Sequence, residues 1–144
     1  MNDSVYLDTS ALAKWYLNEQ GTKQVTDFVL SADRVVISSL TITEMRCLLA
    51  RRRRMHDFNE KIEHQLYATF LSDIDCGHLA VEIFSDHYFI HASHLIDSFP
   101  TIPLRTLDAL HLSIVQQKSI PLLATADEVM LKAAKKMNIA VKKF

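Results

Sequence analysis

Short apolar runs that alternate with helical segments are the feature that most constrains the fold of this chain. Residues 5–7, 35–37, 121–124 and 139–141 are continuous apolar runs, and another run lies within residues 78–84. Runs of this kind are typical of strands that are buried on both faces of a parallel sheet. Only two glycines and three prolines interrupt the 144 residues, which favours helices joined by short connections.

The segments between these runs have helical periodicity, with an apolar residue about every three or four positions. The predicted helices cover residues 10–18, 22–32, 41–55, 58–71, 86–99, 106–118 and 126–137. Thr9 or Ser10 is the expected cap of the first helix, and Thr41 with Glu44 matches the S/T-x-x-E capping box. The pattern predicts an α/β fold in which helices cover both faces of a parallel sheet. The length fits one domain over residues 1–144.

Composition narrows the class of protein. Apolar residues make up 49% of the chain and charged residues 23%, which indicates a soluble globular protein and excludes a disordered or fibrous one. No apolar run approaches the roughly 18 residues that span a membrane, and no secretion signal is evident at the N-terminus. Cys47 and Cys76 lack C-x-x-C spacing, so we expect reduced, buried thiols in a cytoplasmic protein.

Carboxylates follow the predicted strands. Asp8 ends the first strand, Glu44 lies early in the helix after the second, and Asp127 follows the fourth. Asp108 lies near the start of the helix before that strand. The carboxyl ends of parallel strands meet at one edge of a sheet, where ligands bind. Crowded carboxylates need a cation, and a set of oxygen ligands favours Mg²⁺ or Mn²⁺, ions that assist phosphodiester hydrolysis.

Each acid also has a structural interpretation. Asp8 can cap the first helix, and Glu44 can be the acid of the capping box. Asp108 and Asp127 can stabilise helix N-termini through the helix dipole. The residues alone leave both interpretations open.

Four segments carry a resemblance to a known family. They are YLDTSALAKWYLNE at 6–19, SSLTITEMRCLLARRRR at 38–54, LRTLDALHLSIV at 104–115 and LLATADEVMLKAA at 122–134. In these segments the chain resembles a PIN domain, and more closely a VapC-type toxin of type II toxin–antitoxin pairs. The resemblance implies a single PIN domain, folded as a three-layer α/β/α sandwich around a central, mainly parallel sheet. It also implies a metal-dependent endoribonuclease.

The resemblance assigns roles to individual residues. The acids of the family motif fall on Asp8, Glu44, Asp108 and Asp127, which are then the catalytic residues and the ligands of Mg²⁺, with Mn²⁺ able to substitute. The accompanying hydroxyls fall on Thr9 or Ser10 and on Thr125, and they would orient carboxylates. RNA is the implied substrate, and the implied protein partners are a cognate antitoxin and a second copy of the chain in a homodimer.

Basic residues and histidines complete the candidates. Arg46 and Arg105 are possible RNA contacts, while residues 51–54 are either a solvated helix end or a site for phosphates or antitoxin acids. His111 is expected to be packed or hydrogen-bonded, because the further ligands that a zinc site requires are missing. Three histidines share one predicted helix face and are expected to be surface or core residues: His87, His91 and His94.

Interfaces and rival functions remain as expectations. Five aromatic residues exceed what one core of this size is expected to hold, which predicts an exposed apolar interface: Trp15, Tyr16, Phe28, Phe58 and Phe70. One rival function is a catalytically silent PIN-type binding module. Another is a phosphotransferase that uses Asp8 as its nucleophile, which would need a lysine or a glycine-rich turn beside the acid to grip phosphate.

Overall fold

A five-stranded parallel sheet organises the chain. The computed structural model describes residues 3–144, and within them the sheet has the order β3-β2-β1-β4-β5 with every neighbouring pair parallel. The strands are β1 (Ser4–Leu7), β2 (Arg34–Ser38), β3 (Ala80–Glu82), β4 (Leu122–Thr125) and β5 (Ala140–Lys143). The first strand therefore lies at the centre of the sheet, where burial favours a continuous apolar run.

Seven helices connect the strands in residues 3–144. They are α1 (Thr9–Tyr16), α2 (Thr22–Ser31), α3 (Ser39–Arg54), α4 (Glu60–Asp75), α5 (Asp86–Ser98), α6 (Thr106–Gln117) and α7 (Glu128–Lys136). None of these helices is both long and apolar enough to cross a membrane.

The two larger apolar clusters of the core lie one on each face of the sheet. Val5 and Leu7 of β1 pack with buried residues of α1, α2, α3 and α4. Tyr6 faces the other way and packs with buried residues of α5, α6 and α7. This alternation follows from the pleat of the strand, which points successive side chains to opposite faces. The predicted α/β/α sandwich around a parallel sheet is confirmed.

Two of the predicted caps were wrong, namely the Thr9 or Ser10 cap of the first helix and the Thr41–Glu44 capping box. Asp8, rather than Thr9 or Ser10, is the N-cap of α1, and its side chain accepts the Ala11 N–H. The long third helix begins at Ser39 and is capped by Ser38 and Thr41, whose side chains satisfy each other's backbone N–H groups. Because Ser38 and Thr41 already satisfy these donors, Glu44 has no capping function and its carboxylate is available for other contacts.

Two predictions about burial were also wrong. Cys47 and Cys76 are free thiols, but both are exposed. Cys47 points outward because Met45 and Leu49 occupy the buried face of α3. Phe70 is fully buried, and the other four aromatic residues predicted to form an exposed patch pack against the first core cluster: Trp15, Tyr16, Phe28 and Phe58.

Candidate functional site

Asp8 lies at the carboxyl end of the central strand and is almost completely buried, with 3% of its surface exposed. Its Oδ1 accepts hydrogen bonds from the Ser10 hydroxyl at 2.7 Å and the Ala11 N–H at 3.0 Å. Its Oδ2 accepts from the Thr125 hydroxyl at 2.5 Å. Burial raises the pKa of the Asp8 carboxyl above its usual value, although the charge of His111 and the three hydrogen bonds act in the opposite direction. An ionised Asp8 is therefore a group that a nearby cation would stabilise.

Glu44 projects from the second turn of α3 into a hydrogen-bond chain whose inner end is buried. Its Oε1 accepts from the Thr9 hydroxyl at 2.8 Å and lies 2.5 Å from His111 Nε2. On the other side of the ring, His111 Nδ1 lies 2.6 Å from the Tyr6 hydroxyl. Burial alone would raise the pKa of Glu44, but the hydrogen bond and charge of His111, together with Thr9 and Arg105, lower it. Glu44 is thus held in its ionised form.

The sequence did not reveal Tyr6 and His111 as parts of this site. The prediction that His111 is hydrogen-bonded is confirmed, but its partners come from β1 and α3, which are distant in the chain. Two signals pointed toward these contacts. His111 follows Asp108 by three residues and shares its helix face. Tyr6 lies on the opposite face of β1 from Val5 and Leu7.

Asp108 and Asp127 share one cation, the guanidinium of Arg105. Asp108 Oδ2 accepts from the Arg105 backbone N–H at 3.1 Å and from its Nε at 3.2 Å. Asp127 Oδ1 caps α7 by accepting the N–H groups of Val129 and Met130, while its Oδ2 lies 3.4 Å from Arg105 Nη2. The Arg105 side chain is 74% exposed, so this cation is free to move toward solvent or an anion.

Three hydroxyls join the acids. Thr9 binds Glu44, and both Ser10 and Thr125 bind Asp8. Thr125 Oγ1 also accepts the Asp127 N–H at 3.0 Å, and Ser10 Oγ accepts the Ala126 N–H at 3.0 Å. The hydroxyls chosen from the sequence therefore contact the carboxylates or the backbone next to them.

Arg46 is not brought to the acids. Its Nη2 lies 3.3 Å from Glu63 Oε1, and its guanidinium lies over the Tyr67 ring at 5.1 Å. Arg105 is the other predicted RNA contact, and the structure places it between Asp108 and Asp127.

The three histidines of α5 have ordinary environments. His87 Nδ1 lies 2.7 Å from the Ser85 hydroxyl, and His91 Nε2 lies 2.6 Å from Gln116 Oε1. His94 is exposed at the surface. His87 and His94 are exposed and His91 is half-buried, and neither of these hydrogen bonds involves any of the four acids.

The donors at the sheet edge fit a hard divalent ion in their chemistry, because all four acids offer carboxylate oxygens and no thiolate is among them. Within residues 3–144, no three His, Cys, Asp or Glu side chains are grouped in the way that would hold a metal ion. Arg105 provides the positive charge beside Asp108 and Asp127 in this arrangement.

Comparison with known proteins gives a family match. The family model described as PIN domain matches residues 5–136. No curated protein matches the chain.

Solved structures share the fold at low sequence identity. The chain is 18% identical to VapC20 of Mycobacterium tuberculosis, a toxin that cleaves the sarcin-ricin loop, with a TM-score of 0.73 over 90% of this chain and 94% of that one. It is 14% identical to a chain of Rickettsia felis VapBC2 bound to a promoter DNA fragment, with a TM-score of 0.71 over 98% of each chain. It is 19% identical to a chain of FitAcB from Neisseria gonorrhoeae, with a TM-score of 0.72 over 95% of each.

Proposed function

Because the chain belongs to the PIN domain family, we propose that it is a metal-dependent endoribonuclease and the toxin of a toxin–antitoxin pair. The observation that carries the proposal is the Asp8 carboxylate, which is buried at the carboxyl end of the central strand with its pKa raised by that burial. A carboxylate in this state lowers the stability of the fold at neutral pH, and a bound cation would offset that cost. The position agrees with the ligand site of open parallel sheets.

Asp8, Glu44, Asp108 and Asp127 are the residues that would hold Mg²⁺, for which Mn²⁺ can substitute. Such an ion would stabilise the negative charge of the phosphate and would lower the pKa of water, so that a hydroxide nucleophile forms near neutral pH. The chain's own residues prepare the site. Ser10 and Thr125 fix the Asp8 carboxylate, and the Thr9 hydroxyl and His111 ring fix that of Glu44.

Arg105 has a second role in this proposal. Its exposed guanidinium neutralises Asp108 and Asp127, and it would be free to turn to an RNA phosphate if those acids held a divalent ion. Attack of water on the phosphorus with departure of the 3′ oxygen gives products with 5′-phosphate and 3′-hydroxyl ends.

The proposed partners follow from the solved relatives. VapC20 is a toxin that cleaves the sarcin-ricin loop, and VapBC2 is a complex bound to promoter DNA. By analogy with these proteins, we propose an RNA substrate and a cognate antitoxin for this chain. We further propose that it acts as one PIN domain over residues 1–144 and forms a homodimer. We assign its action to the cytoplasm.

The test is expression of the wild-type protein and Asp8→Asn in a bacterium, followed by sequencing of RNA 5′ ends. We expect growth arrest and recurring cleavage sites with the wild type alone. Asp27→Asn is the matched control, because the Asp27 side chain is 62% exposed and pairs with Lys23 at the surface of α2. Cleavage by purified Asp8→Asn at the wild-type rate with Mg²⁺ would contradict the proposal. A folded wild type that cuts no RNA and gains no stability from Mn²⁺ would indicate a binding module instead.

A further inference from the structure

A cleft of about 450 Å³ opens directly beside Glu44. Leu40, Leu48 and Leu107 give it an apolar wall, and Arg51 and Arg105 bring guanidinium groups to it. A second cleft of about 280 Å³ shares Glu44, Arg105 and Leu107 with the first. The two clefts therefore meet at the acidic site.

Arg51 differs from its neighbours in the basic run at the end of α3. Arg52 pairs with Glu19 and Asp57, and Arg53 pairs with Glu63. Arg51 and Arg54 are exposed, and neither side chain makes a hydrogen bond or an ion pair with any residue in the described part of the chain. Of these two, Arg51 lines the cleft beside Glu44.

We propose that this cleft is the subsite for the RNA nucleotide next to the scissile phosphate, with its base on the leucine wall and a phosphate on Arg51. The inference rests on RNA being the substrate. The volume of the cleft lies in the range that holds a ligand the size of a nucleotide. An unstacked base buries apolar surface on Leu40, Leu48 and Leu107, and a free guanidinium binds a phosphate through charge-assisted hydrogen bonds.

Single-stranded RNA suits this cleft better than a protein segment does. The cleft combines a leucine wall with the unpaired Arg51 side chain, and it opens at Glu44 onto the acidic site, where the proposed cleavage needs a phosphate. A duplex keeps its bases stacked and paired, whereas a single strand can turn a base out to the wall.

Arg51→Gln and Arg54→Gln form a matched pair for the first test. Both arginines lie in the last turn of the same helix, are exposed and lack partners, so both variants should fold like the wild type. Binding is measured by fluorescence anisotropy with a single-stranded RNA of about ten nucleotides in EDTA, at several salt concentrations. We expect Arg51→Gln to weaken affinity about tenfold and to reduce the slope of log K against log salt by about 0.7. Equal losses in the two variants would overturn the assignment of Arg51.

The two natural cysteines give a second test that does not depend on cleavage. Cys47 lines the cleft and Cys76 does not, although both are exposed free thiols. At saturating RNA in EDTA, we expect N-ethylmaleimide to modify Cys47 several-fold more slowly than without RNA, and Cys76 at an unchanged rate, as measured by mass spectrometry. Unprotected Cys47, equal protection of both thiols, or no RNA binding at all would overturn the subsite. Protection of Cys47 by an oligoglutamate peptide but not by RNA would also overturn the subsite, because it would indicate that the cleft binds an acidic protein segment.

These outcomes are separate from the fate of the proposed nuclease activity. If RNA protects Cys47 but adding Mg²⁺ produces no cleavage, the binding of an RNA nucleotide in this cleft stands and the nuclease assignment falls. If Mg²⁺-dependent cleavage proceeds while RNA leaves Cys47 unprotected, the nuclease assignment stands and the subsite falls.

Discussion

Removing the Tyr6 hydroxyl tests whether the buried chain from Tyr6 through His111 positions Glu44. The Tyr6 side chain is fully buried, and its hydroxyl lies 3.0 Å from Ser38 Oγ and 2.6 Å from His111 Nδ1. In Tyr6→Phe the ring keeps its packing and Ser38 keeps its capping contact with Thr41. Ser38 Oγ loses the hydrogen bond that it accepts from Tyr6, and His111 Nδ1 is left without a partner in a place that water reaches poorly.

The expected loss of stability is that of one unsatisfied buried polar group, about 1 to 3 kcal/mol. For a domain of this length, that loss lowers Tm by roughly 3 to 9 °C. Without the contact at Nδ1 the His111 ring is free to tilt, so the Glu44 carboxylate loses part of its support. Loss of such a supporting contact typically lowers activity about tenfold or more, and we expect the fall in kcat rather than a rise in KM.

The assay combines thermal unfolding with steady-state cleavage of RNA, and Tyr67→Phe is the matched control. The Tyr67 hydroxyl donates to the Ile42 carbonyl at 3.3 Å, a half-buried contact outside the acidic site. The control should lose at most about 1 kcal/mol of stability and no activity. Wild-type kcat in a destabilised Tyr6→Phe would refute the positioning of Glu44. A Tm no lower than that of Tyr67→Phe would refute the energetic argument.

Three further predictions use other contacts. Folding raises the pKa of Asp8 above its usual 3.8, so native Asp8 binds its proton more tightly than unfolded Asp8. The contribution of Asp8 to the free energy of unfolding should therefore fall as pH rises from 3.8 through the raised pKa. Urea unfolding across that range should show a weaker decline for Asp8→Asn, and parallel profiles would contradict the argument. Glu63 is 1% exposed and pairs with Arg46 and Arg53, whose side chains are less than half exposed. Glu63→Gln should therefore lower the free energy of unfolding, measured by chemical denaturation, by about 2 kcal/mol. Asp27→Asn, which breaks an exposed ion pair, should lower the free energy of unfolding by less than about 0.5 kcal/mol. Equal losses in Asp27→Asn and Glu63→Gln would show that burial does not strengthen the Glu63 pairs. Mn²⁺ at about 100 times its Kd should raise Tm by roughly 8 °C. Arg105→Gln removes the guanidinium that would compete with Mn²⁺ for Asp108 and Asp127, so this variant should reach the same rise in Tm at a lower Mn²⁺ concentration. A dependence of Tm on Mn²⁺ equal to that of the wild type would argue against the competition.

The fold was predictable because its signals are local. Continuous apolar runs and helical periodicity depend on neighbouring residues, and they placed every strand and helix in the correct order. Helix starts were less predictable, since several hydroxyls compete for the same backbone donors. At the start of α3, Ser38 and Thr41 form the capping box, three residues before the predicted box of Thr41 and Glu44.

The contacts of the site were less predictable because they join distant parts of the chain. Asp8 and Thr125 are 117 residues apart, and Glu44 and His111 are 67 apart. The rule for parallel sheets brings strand ends together, but it does not orient the side chains of the helices that follow. The pairing of Arg46 with Glu63 is another such contact, since it depends on how α3 packs against α4.

The structural and functional interpretations of Asp8 turn out to be compatible. A carboxylate has about four acceptor positions. Asp8 uses both positions of Oδ1 for Ser10 and the helix N-terminus, and one position of Oδ2 for Thr125. The cap therefore fixes the carboxylate in one orientation and leaves one position on Oδ2 for a cation. Asp127 repeats the arrangement, since Oδ1 caps α7 and Oδ2 meets the Arg105 guanidinium. At these two strand ends, capping the next helix is the means by which the fold aims a carboxylate oxygen at the site.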